Sequence, residues 1–343
     1  MAYSSETVVP SPPADSVSCL KFQEASNSAT ILLAASSWDG TLSVWQVDSS
    51  SCKSECKFRK TVTTQAIPVL HISWYKDSSK IFCAMADNTI KAVCLQTQQV
   101  VDIGSHNGPV SSCHFYEASN VELLLSASYD KSLKFWDLRQ TANPYVVNMS
   151  ERVTCADVYS NFGVVCTFDN KVHLFNLSGQ PAMVKEKKMN NFIQMSDVKI
   201  MKDESNRPMG CVIASSLGKV SFEVPDQEKQ SIVFPCHRTK NPGDIEDVYS
   251  INTLAINPVH RTLATAGSDG LYAFWDLHRR TNLYKSRRQS SILPITACHI
   301  NPMGNMFVYA KGYDWSKGYS GYTDSMTPSI AIVSCFNDMK KKS

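Results

Sequence analysis

The segment from His106 to Leu138, HNGPVSSCHFYEASNVELLLSASYDKSLKFWDL, holds three short runs of alternating apolar residues separated by turn-forming residues. Val110 to Phe115 reads as a first strand, Glu122 to Ser128 as a second and Ser132 to Leu138 as a third, with Tyr129-Asp130-Lys131 as the tight turn between the last two. The unit recurs down the chain, each time ending in a third strand with a large apolar residue. These third strands are Leu42 to Val47, Ile90 to Leu95, Leu133 to Leu138, Val172 to Leu177, Val220 to Val224, Tyr272 to Leu277 and Ile330 to Cys335. Their spacing of roughly forty to sixty residues is a repeat period of stacked sheet units, with loops lengthening the later ones.

Seven such units predict an all-β chain, a seven-bladed β-propeller of the WD-repeat class, in one domain spanning residues 1–343. The length of 343 residues would also allow two average domains, but propellers run long as one closed unit. Closure of the ring removes exposed sheet edges. The last unit has runs at Ile295 to Ile300, Met306 to Ala310 and Ile330 to Cys335 and then stops, so residues 1–15 are expected to help close it, with Glu6 to Val9 as its outer strand. Pro10, Pro12 and Pro13 would end that strand, because proline cannot donate to the ladder. Residues 336–343 read as a basic tail ending in Lys340 to Lys342.

Composition excludes several classes. Hydrophobic residues at 43% and charged ones at 19% suit a sizeable core and argue against a disordered or fibrous chain. A net charge of +3 is too small to mark a nucleic-acid binder, so any such partner must be read from local clusters. The twelve cysteines, among them Cys19, Cys83, Cys113, Cys155, Cys211 and Cys335, mostly sit in apolar strand-like runs and read as reduced core residues. Met1 to Asp15 lacks a secretory pattern and no apolar run approaches membrane-spanning length, so no membrane insertion is expected.

In the third unit His106, Ser126, Asp130 and Trp136 stand at the offsets where WD-repeat propellers form a buried hydrogen-bond relay. Thr265, Asp269 and Trp275 repeat the last three in the sixth, with His237 as the candidate histidine. These residue types resemble a Ser/His/Asp triad, but they lie on strand interiors and tight turns and end on an indole donor, so the expected role is structural. The chain offers no glycine-rich phosphate loop before a helix, and no clustered carboxylates at equivalent positions of the units. Cys52 with Cys56, and the Cys-His pairs at 113/114, 236/237 and 298/299, lack a repeated ligand framework. The expectation is a protein that is not an enzyme and takes no cofactor or metal.

Seven stretches carry a closer resemblance: PPADSVSCLKF (12–22), SSWDGTLSVW (36–45), YDKSLKFWDLR (129–139), CADV (155–158), CHR (236–238), NPVHRTLATAGSDG (257–270) and YDWSKG (313–318). Together they resemble the nuclear messenger-RNA export WD-repeat family and its sister, the kinetochore checkpoint WD-repeat proteins. CADV, the turn at Asn206-Arg207-Pro208 and YDWSKG are similar to the export branch, and Ser36-Ser37-Trp38-Asp39 to the checkpoint branch.

The resemblance implies an mRNA export factor of the nucleus and nuclear pore, with some in the cytoplasm, that binds a glutamate-containing nucleoporin segment on the propeller top. The checkpoint alternative implies a spindle checkpoint scaffold that binds kinetochore kinases. Carried over by position, Trp38 would give an aromatic contact and Lys219 and Arg238 would meet the glutamates. Both branches usually have arginine where this chain has Lys219, and a lysine lacks the bidentate fork.

From Asp276 the sequence reads DLHRRTNLYKSRRQSS, with Arg279, Arg280, Lys285, Arg287 and Arg288 and no acid between Leu277 and Ser291. Tyr284 adds an aromatic face. In the export family the region near Phe234, Trp275, Asp276 and Arg280 resembles a surface for single-stranded nucleic acid. Single-stranded RNA is thus an expected partner, held through phosphates and largely blind to sequence. The insertion from Gly312 to Thr327, rich in Tyr, Trp and Gly, suits a binding loop.

Overall fold

The computed structural model describes residues 6–24, 29–140, 143–190, 192–225, 231–243, 245–287 and 293–341. A short strand β1 (Thr7–Val8) precedes the first blade, which is β2 (Val17–Phe22), β3 (Thr30–Ser37), β4 (Thr41–Asp48) and β5 (Ser54–Thr61). The second is β6 (Val69–Trp74), β7 (Lys80–Met85), β8 (Thr89–Cys94) and β9 (Val100–Ser105). The third is β10 (Val110–Ala118), β11 (Val121–Ser128), β12 (Ser132–Asp137) and β13 (Tyr145–Asn148). The fourth is β14 (Val153–Tyr159), β15 (Phe162–Thr167), β16 (Lys171–Asn176) and β17 (Ala182–Lys188). The fifth is β18 (Met195–Lys202), β19 (Pro208–Ser215), β20 (Lys219–Glu223) and β21 (Ile232–Pro235). A separate hairpin of β22 (Arg238–Lys240) and β23 (Glu246–Val248) follows. The sixth blade is β24 (Ile251–Ile256), β25 (Leu263–Gly267), β26 (Tyr272–Asp276) and β27 (Thr281–Lys285). The last contains β28 (Ile295–Ile300), β29 (Met306–Lys311) and β30 (Ser329–Ser334). Every blade is a four-stranded antiparallel sheet, and the fold is an all-β, seven-bladed β-propeller.

The third strands end one residue before the apolar pattern does in six blades, leaving Leu95, Leu138, Leu177, Val224, Leu277 and Cys335 outside the ladder. Leu177, Leu277 and Cys335 are fully buried, so hydrophobicity marks them as strand. Their backbone is already turning. The Leu177 N–H reaches the Asn161 carbonyl at 2.8 Å, in the turn before β15, and the Cys335 N–H reaches that of Asn305 at 2.9 Å.

The residues divide into two compact units, residues 1–69 with 234–343 and residues 70–233. In the first, the last blade has the order β1-β30-β29-β28, so the N-terminal segment supplies its outer strand. Thr7 faces Ile332, Val8 faces Ala331, and the Val9 N–H donates to Ile330 at 2.9 Å. The chain then leaves the ladder at Pro10, whose carbonyl accepts the indole N–H of the fully buried Trp45 at 2.9 Å. Arg59 donates to the Ser11 carbonyl. A core joins the last blade to the first through Val17, Leu33, Trp45, Val308 and Ile332.

In the second unit, Leu125, Phe135, Val165 and Phe175 pack the third blade on the fourth, and Val164, Cys166, Ile200 and Ile213 pack the fourth on the fifth. Each fully buried side chain of this size contributes about 1.5–3 kcal/mol. The β11 strand ends in five consecutive buried residues, because its sheet is covered on both faces, whereas the outer strand β17 has none. A bulge after the first residue of the first strand recurs in six blades and adds local twist.

Candidate functional site

In an antiparallel blade the turn between the second and third strands lies at the same end as the connection to the next blade. That end is the turn rim of each blade, and Trp38, Lys219 and Arg238 each stand there in or beside their own blade. The turn repeats one backbone device: its last residue takes positive φ, as at Gly40 (78°), Asn88 (75°), Lys131 (67°), Asn170 (61°), Gly218 (58°) and Gly270 (71°). Glycine takes that conformation without strain and asparagine with little. In five of these six turns the preceding residue is an aspartate, Leu217 standing there in the fifth blade; Asp39 accepts from the Thr41 N–H at 2.9 Å and Asp130 from the Ser132 N–H at 2.9 Å. The first residue of the turn points outward: Trp38 is 46% exposed, Tyr129 42% and Phe168 46%.

Beneath this rim the structure brings together the relay residues named from sequence. In the third blade the Trp136 indole N–H donates to Ser126 Oγ at 2.9 Å, Ser126 Oγ lies 2.8 Å from His106 Nε2, and His106 Nδ1 lies 3.0 Å from Asp130. An indole only donates and an ionised carboxylate only accepts, so the proton order follows: Trp136 to Ser126, Ser126 to His106 Nε2, His106 Nδ1–H to Asp130. The order requires a neutral imidazole. Burial pushes the His106 pKa down despite the attraction of Asp130. Burial acts to raise Asp130, but the Ser132 hydroxyl, the Asn107 N–H and His106 together hold its pKa below the ordinary value. Ser126 is fully buried, and no substrate can reach its hydroxyl.

The sixth blade repeats the arrangement, with His237 lying 2.8 Å from Asp269 and 2.9 Å from Thr265, which accepts the Trp275 indole N–H at 2.9 Å. The fourth blade keeps only a shortened version, in which Thr167 meets Asp169 at 2.6 Å and His173 at 3.1 Å. Among the described residues no group of three or more His, Cys, Asp or Glu could hold a metal ion. No helix in them is long and apolar enough to cross a membrane.

Trp38 donates its backbone N–H to Ser16 at 3.0 Å, which fixes the turn while leaving the ring outward. Lys219 opens β20 and is half-buried. Arg238 opens the β22–β23 hairpin, and its guanidinium holds Glu246 of the opposite strand at 2.6 Å. Glu246 is a counter-charge to Arg238 that sequence reasoning missed. The signal was available as an acid eight residues from Arg238, but only the hairpin register brings the two together.

The basic stretch divides. Arg279, Arg280, Lys285 and Arg287 are exposed, and Arg288 lies outside the described residues. Asp276 is 2% exposed and spends its carboxylate on the His278 and Arg279 N–H groups of its own turn. Phe234 is 7% exposed and packs 5.2 Å from the partly exposed Trp275 ring. Of the residues expected from sequence to meet nucleic acid, Trp275 is partly exposed and Arg279, Arg280, Lys285 and Arg287 are exposed in the free chain. In the insertion after Gly312, Trp315 and Tyr322 stack with planes 3° apart, and buried Tyr313 supports both.

Residues 7–46 and 95–137 match the WD domain, G-beta repeat family. Protein Rae1 of Drosophila melanogaster is 36% identical over 336 residues, covering 97% of this chain and 95% of that protein. The chain belongs to the Rae1 family of mRNA export factors. In this family, mRNA export factor rae-1 of Caenorhabditis elegans is 35% identical over 337 residues, covering 96% of this chain and 88% of the relative. The mRNA export factor of Danio rerio is 35% identical over 339 residues, covering 97% and 90%. Two solved structures, the RRP9 WD40 repeats and U3-55K, superpose with TM-scores of 0.77 and 0.75 over 96% of this chain. They cover 97% and 98% of those chains at 15% identity, which speaks to the fold alone.

Proposed function

We propose that this chain is a non-enzymatic mRNA export factor that docks on a nucleoporin at the nuclear pore and contacts single-stranded RNA. It would work in the nucleus and at the nuclear envelope, with a cytoplasmic fraction. The observation that carries the reading is the likeness along 97% of the chain to a relative named Rae1, joined by relatives named mRNA export factors.

Under this reading a glutamate-containing segment lies on the turn rim, with Trp38 as its aromatic contact and Arg238 as its cation. In the free chain Arg238 already holds Glu246, and the side chains are 25% and 36% exposed. A pair this wet is worth about 0–1 kcal/mol, so an incoming glutamate can replace it at little electrostatic cost. Net affinity would then come from burying Trp38 and neighbouring apolar surface. Lys219 would add a point charge without the fork of an arginine. RNA would lie along Trp275, Arg279, Arg280, Lys285 and Arg287. Its affinity would fall with salt by a log–log slope of at most about −3, at about −0.7 per phosphate neutralised.

The test is a titration of a nucleoporin docking segment and a kinetochore-kinase segment against the chain, Lys219→Ala and Arg238→Ala, at two salt concentrations. Preference for the nucleoporin segment, lost in Arg238→Ala, supports the export reading. Preference for the kinase segment transfers the chain to the checkpoint reading that Ser36-Ser37-Trp38-Asp39 suggests.

A further inference from the structure

We infer that the end of the sixth and last blades opposite the turn rim is a docking surface for an acidic protein segment carrying apolar side chains. Three apolar residues stand half-exposed there: Val259 at 49%, Met303 at 44% and Phe336 at 40%. They come from the β24–β25 turn, the β28–β29 turn and the segment after β30. All three positions lie at the blade end away from Trp38 and Arg238, outside the site of the proposed function.

The geometry joins them into one patch. The Asn257 side chain accepts the Val259 and His260 N–H groups at 2.9 Å each and donates to the Gly304 carbonyl at 2.8 Å, fixing one turn against the other. The His260 ring lies 4.5 Å from that of Phe336. Beneath them Met339 is fully buried, and its carbonyl accepts the Thr262 hydroxyl at 3.0 Å. The C-terminal segment is thus clamped to the blade, and the exposed side chains stand on a preorganised base, which lowers the cost of binding.

Charge selects the partner. Lys340 and Lys341 are exposed at the border of the patch, close enough that both act with burial to hold the His260 pKa down. The acid in this stretch, Asp338, is half-buried, and burial pushes its pKa up. An apolar centre with a cationic border complements an acidic segment with apolar side chains. RNA fits less well, because Val259 and Met303 give no flat face for a base and Phe336 already carries the His260 ring.

The test uses the full chain with Lys219→Ala and Arg238→Ala, which removes both cations of the proposed glutamate site. It is titrated by fluorescence anisotropy with a labelled peptide of alternating glutamate and leucine, with the same peptide carrying lysine for glutamate, and with an oligouridylate. The acidic peptide is expected to bind. Phe336→Ser, Met303→Ser and the pair Lys340→Glu with Lys341→Glu should each weaken it about tenfold, the effect of losing a central interface residue. The charge pair lies outside the packed core, so it tests the surface even if an apolar variant loses its fold. Equal binding of acidic and basic peptides, preference for the oligouridylate, or affinity unmoved by the charge pair would overturn the proposal.

Discussion

Replacing Ser126 by alanine removes one oxygen and leaves two buried polar groups, the Trp136 indole N–H and His106 Nε2, without their partner. Each orphaned group costs about 1–3 kcal/mol, so the variant should lose about 2–6 kcal/mol. Thr265→Val makes the same cut in the sixth blade, where the Thr265 oxygen meets His237 and Trp275 at 2.9 Å each. Because valine keeps the volume, that loss comes from hydrogen bonding with little cavity contribution. Urea unfolding followed by tryptophan fluorescence gives the measurement. A loss of about 3 kcal/mol moves the midpoint by about 1 M or more, at a slope of about 1–3 kcal/mol per molar. Ser320→Ala, in an exposed 3-10 turn, serves as the control and should stay within about 0.5 kcal/mol. If Ser126→Ala and Thr265→Val both unfold with the control, the relay does not hold the blades together and the proton order derived for it has no energetic consequence.

Stability should fall as pH drops from about 7.5 to 5.5, because burial holds the His106, His173 and His260 pKa values below the ordinary 6.5. Such a group binds its proton more readily when unfolded, so its contribution is whole above 6.5 and is lost as pH falls toward the folded pKa. His260→Gln should flatten part of that decline in urea midpoints measured across the range. Gly210→Ala should cost about 1–3 kcal/mol by the same assay, since a Cβ there would sit 2.3 Å from the Glu223 carbonyl oxygen, which is backbone of the paired strand. A wild-type midpoint would show that the two strands can part without penalty. Glu246→Gln removes the carboxylate that Arg238 holds, and should tighten binding of a glutamate-containing peptide by about two- to fivefold, the worth of a partly exposed pair. Unchanged or weaker binding in isothermal calorimetry would remove Arg238 from the peptide site.

The sevenfold architecture was legible because each unit writes the same short-range physics. Alternating apolar residues such as LSVWQV and LKFWDL set the strands, and the turn at Tyr129-Asp130-Lys131 sets the reversal between them. The relay was legible for the same reason, since His106, Ser126, Asp130 and Trp136 recur as types at fixed offsets. The outer strand of the last blade, drawn from Thr7–Val8, could be anticipated because closing a sheet ring leaves one strand position to fill.

What the sequence could not reveal depends on which atoms face each other across unrelated stretches. Arg238 reads as a free cation until the β22–β23 hairpin sets Glu246 against it. Asp276 and Arg280 stand four residues apart and read as one surface, yet the turn consumes the first and exposes the second. Val259, Met303 and Phe336 carry no common motif, and only the packing of two turns against the segment after β30 makes them a single patch. Strand and turn preferences act over a few residues and are written locally in the chain. The pairing of a charge, the burial of a carboxylate and the continuity of a surface are decided by contacts between distant residues, which only the tertiary structure assigns.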